Sequence, residues 1–279
     1  MADAQLGSFQ TPQGIIKASY QRKGEYALVG GDMLMPPPVD EDTVFLSTSA
    51  DWIGTWNNGE VPYEFAQGTS FRAQQAGTEA IDLWNSLSAQ TGLRFVPRNG
   101  EQDRVRIGSS EPGCFAVFGR VRGAQPVNLG PGCEDVKTAA HELGHAIGLA
   151  HEHQRPDRSQ YVNINFQLLP PEIRYSWEVV EYSTTTTPYD LFSIMHYPSR
   201  AGSPTGQPII VPVDRSISVN SVGETGRHGG ITDGDILGVA QIYDGPGPNT
   251  FPPSTVPPGN GGGTPTETGT PRGTTPSCI

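Results

Sequence analysis

The sequence predicts an α+β fold, and three observations carry that prediction. Apolar residues recur at helical spacing in Ala80, Ile81, Leu83, Trp84 and Leu87, inside a helix expected over 76–87. They recur again in Val136, Ala140, Leu143 and Ile147, a stripe that would face a core. Val105-Arg106-Ile107 alternates as a strand does.

In chain order, a twisted sheet with one long helix is expected over 47–110, then helices near 134–149 and 233–243 in a loop-rich second half. Asp135 or Glu134 could cap the start of the middle helix. The first 46 residues hold Val29-Gly30-Gly31-Asp32-Met33, followed by Pro36, Pro37 and Pro38. Taken alone, Gly-Gly-Asp reads as a surface turn. From residue 246 to 279, Pro, Gly and Thr dominate and large apolar residues nearly vanish, which predicts a flexible linker or tail.

Composition bounds the partners. The chain has 279 residues, with 18 Lys and Arg against 29 Asp and Glu, for a net charge of -11. Polyanions would be repelled, so neither nucleic acid nor an anionic membrane surface is an expected partner. No apolar run is long enough for membrane insertion, and residues 1–28 lack the continuous apolar stretch of a signal peptide. Of three cysteines, Cys114 and Cys133 flank a Gly-rich segment and Cys278 is left odd.

The chemistry concentrates in the run from His141 to His151, which reads H-E-x-x-H-x-x-G-x-x-H. His141 and His145 lie one helical turn apart and share a face. Gly148 can leave the helix with positive φ and bring His151 round as a third ligand. Three protein ligands leave a coordination position open, the mark of a catalytic zinc site. Glu142 stands beside the first ligand, within reach of a water on the metal. About fifty residues on, Ser193-Ile194-Met195-His196-Tyr197 supplies a methionine-containing turn, with His196 read as structural.

With these residues in view, the chain resembles the astacin family of zinc metalloendopeptidases, within the metzincins. The zinc motif continues as Glu152-His153-Gln154-Arg155-Pro156-Asp157-Arg158, similar to the family's E-x-x-R-x-D-R, and Ser193 to Tyr197 matches its S-x-M-H-Y turn. Trp56 to Tyr63, Arg94 to Arg98, Asp235-Ile236 and Ile242-Tyr243 extend the likeness over about 47–244.

The resemblance implies a zincin-like fold: an N-terminal twisted mixed sheet with helices, the zinc helix at the floor of a cleft, and a loop-rich C-terminal subdomain. It implies one Zn2+ per chain on His141, His145 and His151, with Glu142 as general base toward the zinc-bound water. Tyr197 would be a movable ligand that donates to the oxyanion, and Met195 would lie beneath the metal. Glu152 would bind the new N-terminus of the processed enzyme, and Cys114 would pair with Cys133. The implied organisation is a propeptide over 1–46, a catalytic domain over 47–245 and a tail over 246–279. Asp32 would block the zinc of the zymogen, although Val29 replaces the aromatic of the family's F-x-G-D. An activating protease would cut near 43–50.

Expected substrates are proteins or peptides outside the cell, since the chain reads as secreted. An edge strand at Val105 to Ile107 could hold them by main-chain pairing. Arg227 lies where some members carry a base that selects an acidic residue after the cut, and a solvated loop arginine fits it equally. The sequence departs from the family at Gly92, where a second disulfide would begin, and it has no cysteine near Tyr243. The two subdomains are therefore expected to be tied less firmly. A scaffold kept for binding or adhesion, or a zinc hydrolase of small amides, are the competing readings.

Overall fold

The computed structural model describes residues 4–11, 14–38, 53–181, 186–224 and 230–248. The chain opens with four strands: β1 (Gln5–Thr11), β2 (Gly14–Lys23), β3 (Tyr26–Val29) and β4 (Met33–Met35). They form an antiparallel meander. Burial alternates along the first part of β2, with Ile16, Ala18 and Tyr20 inward and Ile15 and Lys17 outward. That is the period-two pattern of a strand with one buried face.

Five further strands follow: β5 (Glu60–Phe65), β6 (Arg94–Pro97), β7 (Arg104–Gly108), β8 (Cys114–Val117) and β9 (Ala124–Leu129). All nine join one sheet in the order β1-β2-β3-β4-β8-β9-β7-β5-β6. The sheet expected within 47–110 therefore extends in both directions. The strand at Val105 to Ile107 exists but is not an edge. β7 pairs in parallel with β5 on one side and β9 on the other. Alternation revealed the strand, but strand neighbours depend on crossovers that local pattern does not encode. β8 is antiparallel to β9, and its far side is taken by β4 in parallel register, Met33 with Ala116 and Leu34 with Val117.

Four helices complete the N-terminal layer and the closing segment: α1 (Phe71–Ser86), α2 (Ser88–Thr91), α3 (Val136–Ala146) and α4 (Asp233–Tyr243). α1 starts earlier than its apolar stripe suggested because Ser70 caps it, accepting from Ala73 N at 3.1 Å. Its first turn puts Phe71 into solvent, which hid it from a pattern search. Ile81 and Trp84 of α1 meet Ala140, Leu143 and Ile147 on and just beyond α3, over Val105 and Ile107 of the sheet. Beyond α3 the chain is mostly turns, with a small pair β10 (Val162–Ile164) and β11 (Ile210–Pro212).

Cys114 and Cys133 are disulfide-bonded, bracketing β8, β9 and the approach to α3. No second disulfide joins the subdomains among the described residues; backbone contact holds that seam. Gly92 has φ +72, and a Cβ there would stand 2.6 Å from Tyr243 O. Gly247 N donates to Gln90 O at 2.9 Å. The tail from 249 onward, with Cys278, lies outside the described residues. No described helix is long and apolar enough to cross a membrane.

Candidate metal centre

α3 sets the first two ligands. Asp135, rather than Glu134, caps it, accepting from Thr138 N at 3.0 Å. Glu134 instead accepts from Ser70 Oγ. The helix ends at Ala146, and Gly148 at φ +102 turns the chain so that His151 comes back under it. The sequence expectation for Gly148 holds, for the reason given: an L side chain resists that φ.

Each imidazole is oriented through Nδ1. His141 Nδ1 faces Ile194 O at 2.7 Å, His145 Nδ1 faces Leu149 O at 2.8 Å, and His151 Nδ1 faces Gln154 Oε1 at 2.9 Å. Oxygen partners keep the proton on Nδ1 and leave the Nε2 lone pairs free to point inward. The Nε2 atoms converge, 3.2 Å between His145 and His151 and 3.3 Å between His151 and His141. Donors about 2.0–2.1 Å from one tetrahedral ion stand roughly 3.3 Å apart, so the three nitrogens have the spacing of a single metal's ligands. With a carboxylate oxygen of Asp32, the four donor atoms lie within 4.8 Å of one another, a group able to hold one metal ion.

Asp32 is fully buried at this point. Its Oδ1 is 3.1 Å from His151 Nε2 and 3.4 Å from His145 Nε2, and its Oδ2 is 3.5 Å from His141 Nε2. Ala116 N donates to its carbonyl at 3.0 Å, fixing it at the head of β4. Gly30 and Gly31 let the chain reach this depth. At Gly30, with φ +66, a Cβ would stand 2.5 Å from Gln154 Oε1 and 2.7 Å from His151 Nδ1. Burial pushes the Asp32 carboxyl up, but the three facing imidazoles, His151 above all, outweigh it and hold it well below the usual range.

Glu142 is also fully buried, and neither carboxylate oxygen has a hydrogen-bond partner among the described residues. Burial, and then the charge of Asp32, raises its carboxyl well above the ordinary range. Uncompensated buried oxygens beside three inward imidazoles fit a cation that the surrounding residues do not themselves supply.

The methionine turn lies beneath. Asp235 accepts from Ser193 Oγ, from Ile194 N at 3.0 Å and from Thr232 N at 2.9 Å, so one carboxylate holds the turn and caps α4. Sequence reading assigned Asp235 only a place in the closing helix, although Thr232-x-x-Asp235 is a capping-box signal. It also left Gly144 and Gln154 as spacers. Gln154 orients His151, and Gly144 packs against Met195.

Tyr197 Oη lies 2.6 Å from Gly30 O and 2.8 Å from Asp32 Oδ2, its single proton shared between them. Its ring stacks on His153, centroids 4.1 Å apart. His196 is structural, as expected, between Tyr189 Oη at 2.9 Å and Tyr197 O at 2.8 Å. Glu152 is engaged by Arg155 Nη1 at 3.2 Å and by Asp190 N at 3.2 Å. Burial pushes its carboxyl up to about 7 against the pull of Arg155. Arg227 and the expected cleavage segment near 43–50 lie outside the described residues.

Helix-borne histidines, a glycine exit and a methionine turn under a mixed sheet define the metzincin fold. The model of the Astacin peptidase family matches residues 49–244. Zinc metalloproteinase nas-13 of Caenorhabditis elegans is 32% identical over 211 residues, covering 74% of this chain and 44% of that protein. Astacin-like metalloprotease toxin 1 of Loxosceles intermedia is 31% identical over 233 residues, covering 81% of this chain and 84% of that protein. Among solved structures, High choriolytic enzyme 1, a hatching enzyme zinc-protease from Oryzias latipes, superposes with a TM-score of 0.60 at 29% identity, covering 71% of this chain and 96% of that one. The chain belongs to the astacin family. It spans about half the length of several curated relatives it matches, 44–49% for nas-13, nas-8 and nas-7.

Proposed function

We propose that this chain is the latent form of a secreted zinc endopeptidase, with residues 1–46 as propeptide, 47–245 as catalytic domain and 246–279 as a tail. The convergence of His141, His145 and His151 on the buried carboxylate of Asp32 carries the reading. When bound, zinc supplies Lewis-acid polarisation and lowers the pKa of a water.

The chain's own residues do the rest. The oxygen partners of Nδ1 hold the three imidazoles neutral and aimed. Asp32 occupies the fourth donor position and claims the Tyr197 phenol, so latency rests on one carboxylate engaging both. Once Asp32 leaves, Glu142 takes the proton of the attacking water and delivers it to the departing amine. The released Tyr197 hydroxyl donates to the oxyanion of the tetrahedral intermediate. Glu152 takes the new N-terminus in place of one of its present partners. Secretion is supported by the disulfide, which persists in oxidising compartments. Arg227 is proposed to favour an acidic residue after the cut; a peptide library without Asp or Glu enrichment there rejects that role.

The test is casein hydrolysis by the zinc-loaded chain after cleavage within 39–52 and removal of the released piece. A Glu142→Ala chain is treated identically. Hydrolysis by the native chain alone supports the reading, and none by either rejects a general endopeptidase.

A further inference from the structure

We propose that one cut between residues 38 and 53 does not open the site: residues 4–38 stay docked as a separate inhibitory chain, and activation needs a second event that removes them. This rests on the reading of Asp32 as the blocking group.

The segment pairs its own four strands and, within the intact chain, grips both walls of the cleft. On one wall, β4 fills the free edge of β8, with Phe118 N donating to Leu34 O at 2.9 Å and Ala116 N to Asp32 O at 3.0 Å. On the other, β2 reaches the C-terminal subdomain. Glu181 N donates to Lys17 O at 2.9 Å, and Lys17 N to Glu181 O at 3.2 Å. Ser19 Oγ donates to Glu178, and Gln21 Nε2 to Glu172 O at 3.3 Å. Between the walls, Phe9, Tyr20 and Met35 share an apolar cluster with Ile53, Phe118 and Val180. All six are at most 5% exposed.

These contacts join residues 17–35 directly to residues 116–181, so a cut within 39–52 leaves them in place while it removes the tether and its effective concentration. While docked, the piece keeps the β1–β4 pairing it has in the intact chain, so a cut leaves that pairing in place. Its departure would expose Phe118, Phe115 and Val117 along β8, an apolar strip that disfavours separation. The position of the basic residues sharpens the point. Residues 24–71 contain no Lys or Arg. A trypsin-like protease cutting after Lys23 would leave Asp32 joined to the catalytic domain.

The test replaces residues 43–50 of the full chain with the recognition sequence of a highly specific protease. The cut protein is run on gel filtration at micromolar concentration and assayed on casein. Expected are co-elution of the two pieces, activity near that of the uncut chain, and full activity only after the small piece is degraded or stripped. Adding the recovered small piece back to the stripped domain should return activity to that of the uncut chain. A Met35→Asp chain, cut in the same way, should separate and become active. Separation of the native pieces at micromolar concentration overturns the proposal, as does co-elution with full activity. If the stripped, zinc-loaded domain hydrolyses no casein, the peptidase reading fails, while co-elution still decides docking.

Discussion

Met195 and Gly144 are in direct contact beside the metal centre: a Cβ on Gly144 would stand 2.6 Å from Met195 Sδ. The methionine turn thus presses on α3 between the two helical histidines, at a residue the zinc motif leaves unspecified. Gly144→Ala should force α3 and the turn apart. The expected cost is about 1–3 kcal/mol, typical of overpacking. Urea unfolding measures it, and zinc content should fall in parallel. A variant of native stability and metal content would show that the contact has slack.

Gly30→Ala tests the depth of the plug. The new methyl meets Gln154 and His151 at a φ unfavourable to alanine. Strain of about 1–3 kcal/mol shifts the docked equilibrium by roughly 5- to 150-fold. A chelator should then strip zinc from the intact variant correspondingly faster. Unchanged stripping would mean that the turn does not limit access.

Asp235 gives a pH dependence with a definite sign. Burial raises its carboxyl above the ordinary aspartate value of 3.8, more than its hydrogen bonds lower it. A raised folded-state pKa contributes stability that is full below the unfolded value and is lost as pH rises through the folded one. Asp235→Asn removes that titration and weakens the hold on Ser193 and Ile194. Its cost in urea unfolding should be largest at the lowest pH and shrink as pH rises through the acid range. A cost that grew with pH would contradict the assignment.

The Cys114–Cys133 bond closes a separation of 19 residues. In the chain-entropy model a loop of that length contributes about 3 kcal/mol. Replacing both cysteines with serine should lower Tm by roughly 6–12 °C for a domain of this size. A fall of under a degree would show the bond to be redundant with packing.

Gly92, the position where the family resemblance implies a cysteine, has its backbone packed against the end of α4. Gly92→Cys alone should destabilise the chain, because its Cβ would meet Tyr243 O and no partner cysteine is present nearby. Thermal unfolding decides, and a neutral result would mean that the seam can open without cost.

Asp32 stood out only through the family resemblance, since Gly-Gly-Asp alone reads as a surface turn, but the sequence by itself determined the three longer helices, the three histidines, Glu142 and the methionine turn. These are set by local spacing: a helix brings residues four apart together wherever it lies, and a glycine that must adopt positive φ marks its own exit. Only the tertiary structure decided which strand borders the site. Val105 to Ile107 reads as an edge strand and lies inside the sheet, while β8 borders the site and β4 covers it. Strand order, the contact of Gly144 with Met195 and the dual hold of Asp235 all join residues far apart in the chain. No period in the sequence records such pairs, because they are chosen by which surfaces can be buried together when the whole domain closes.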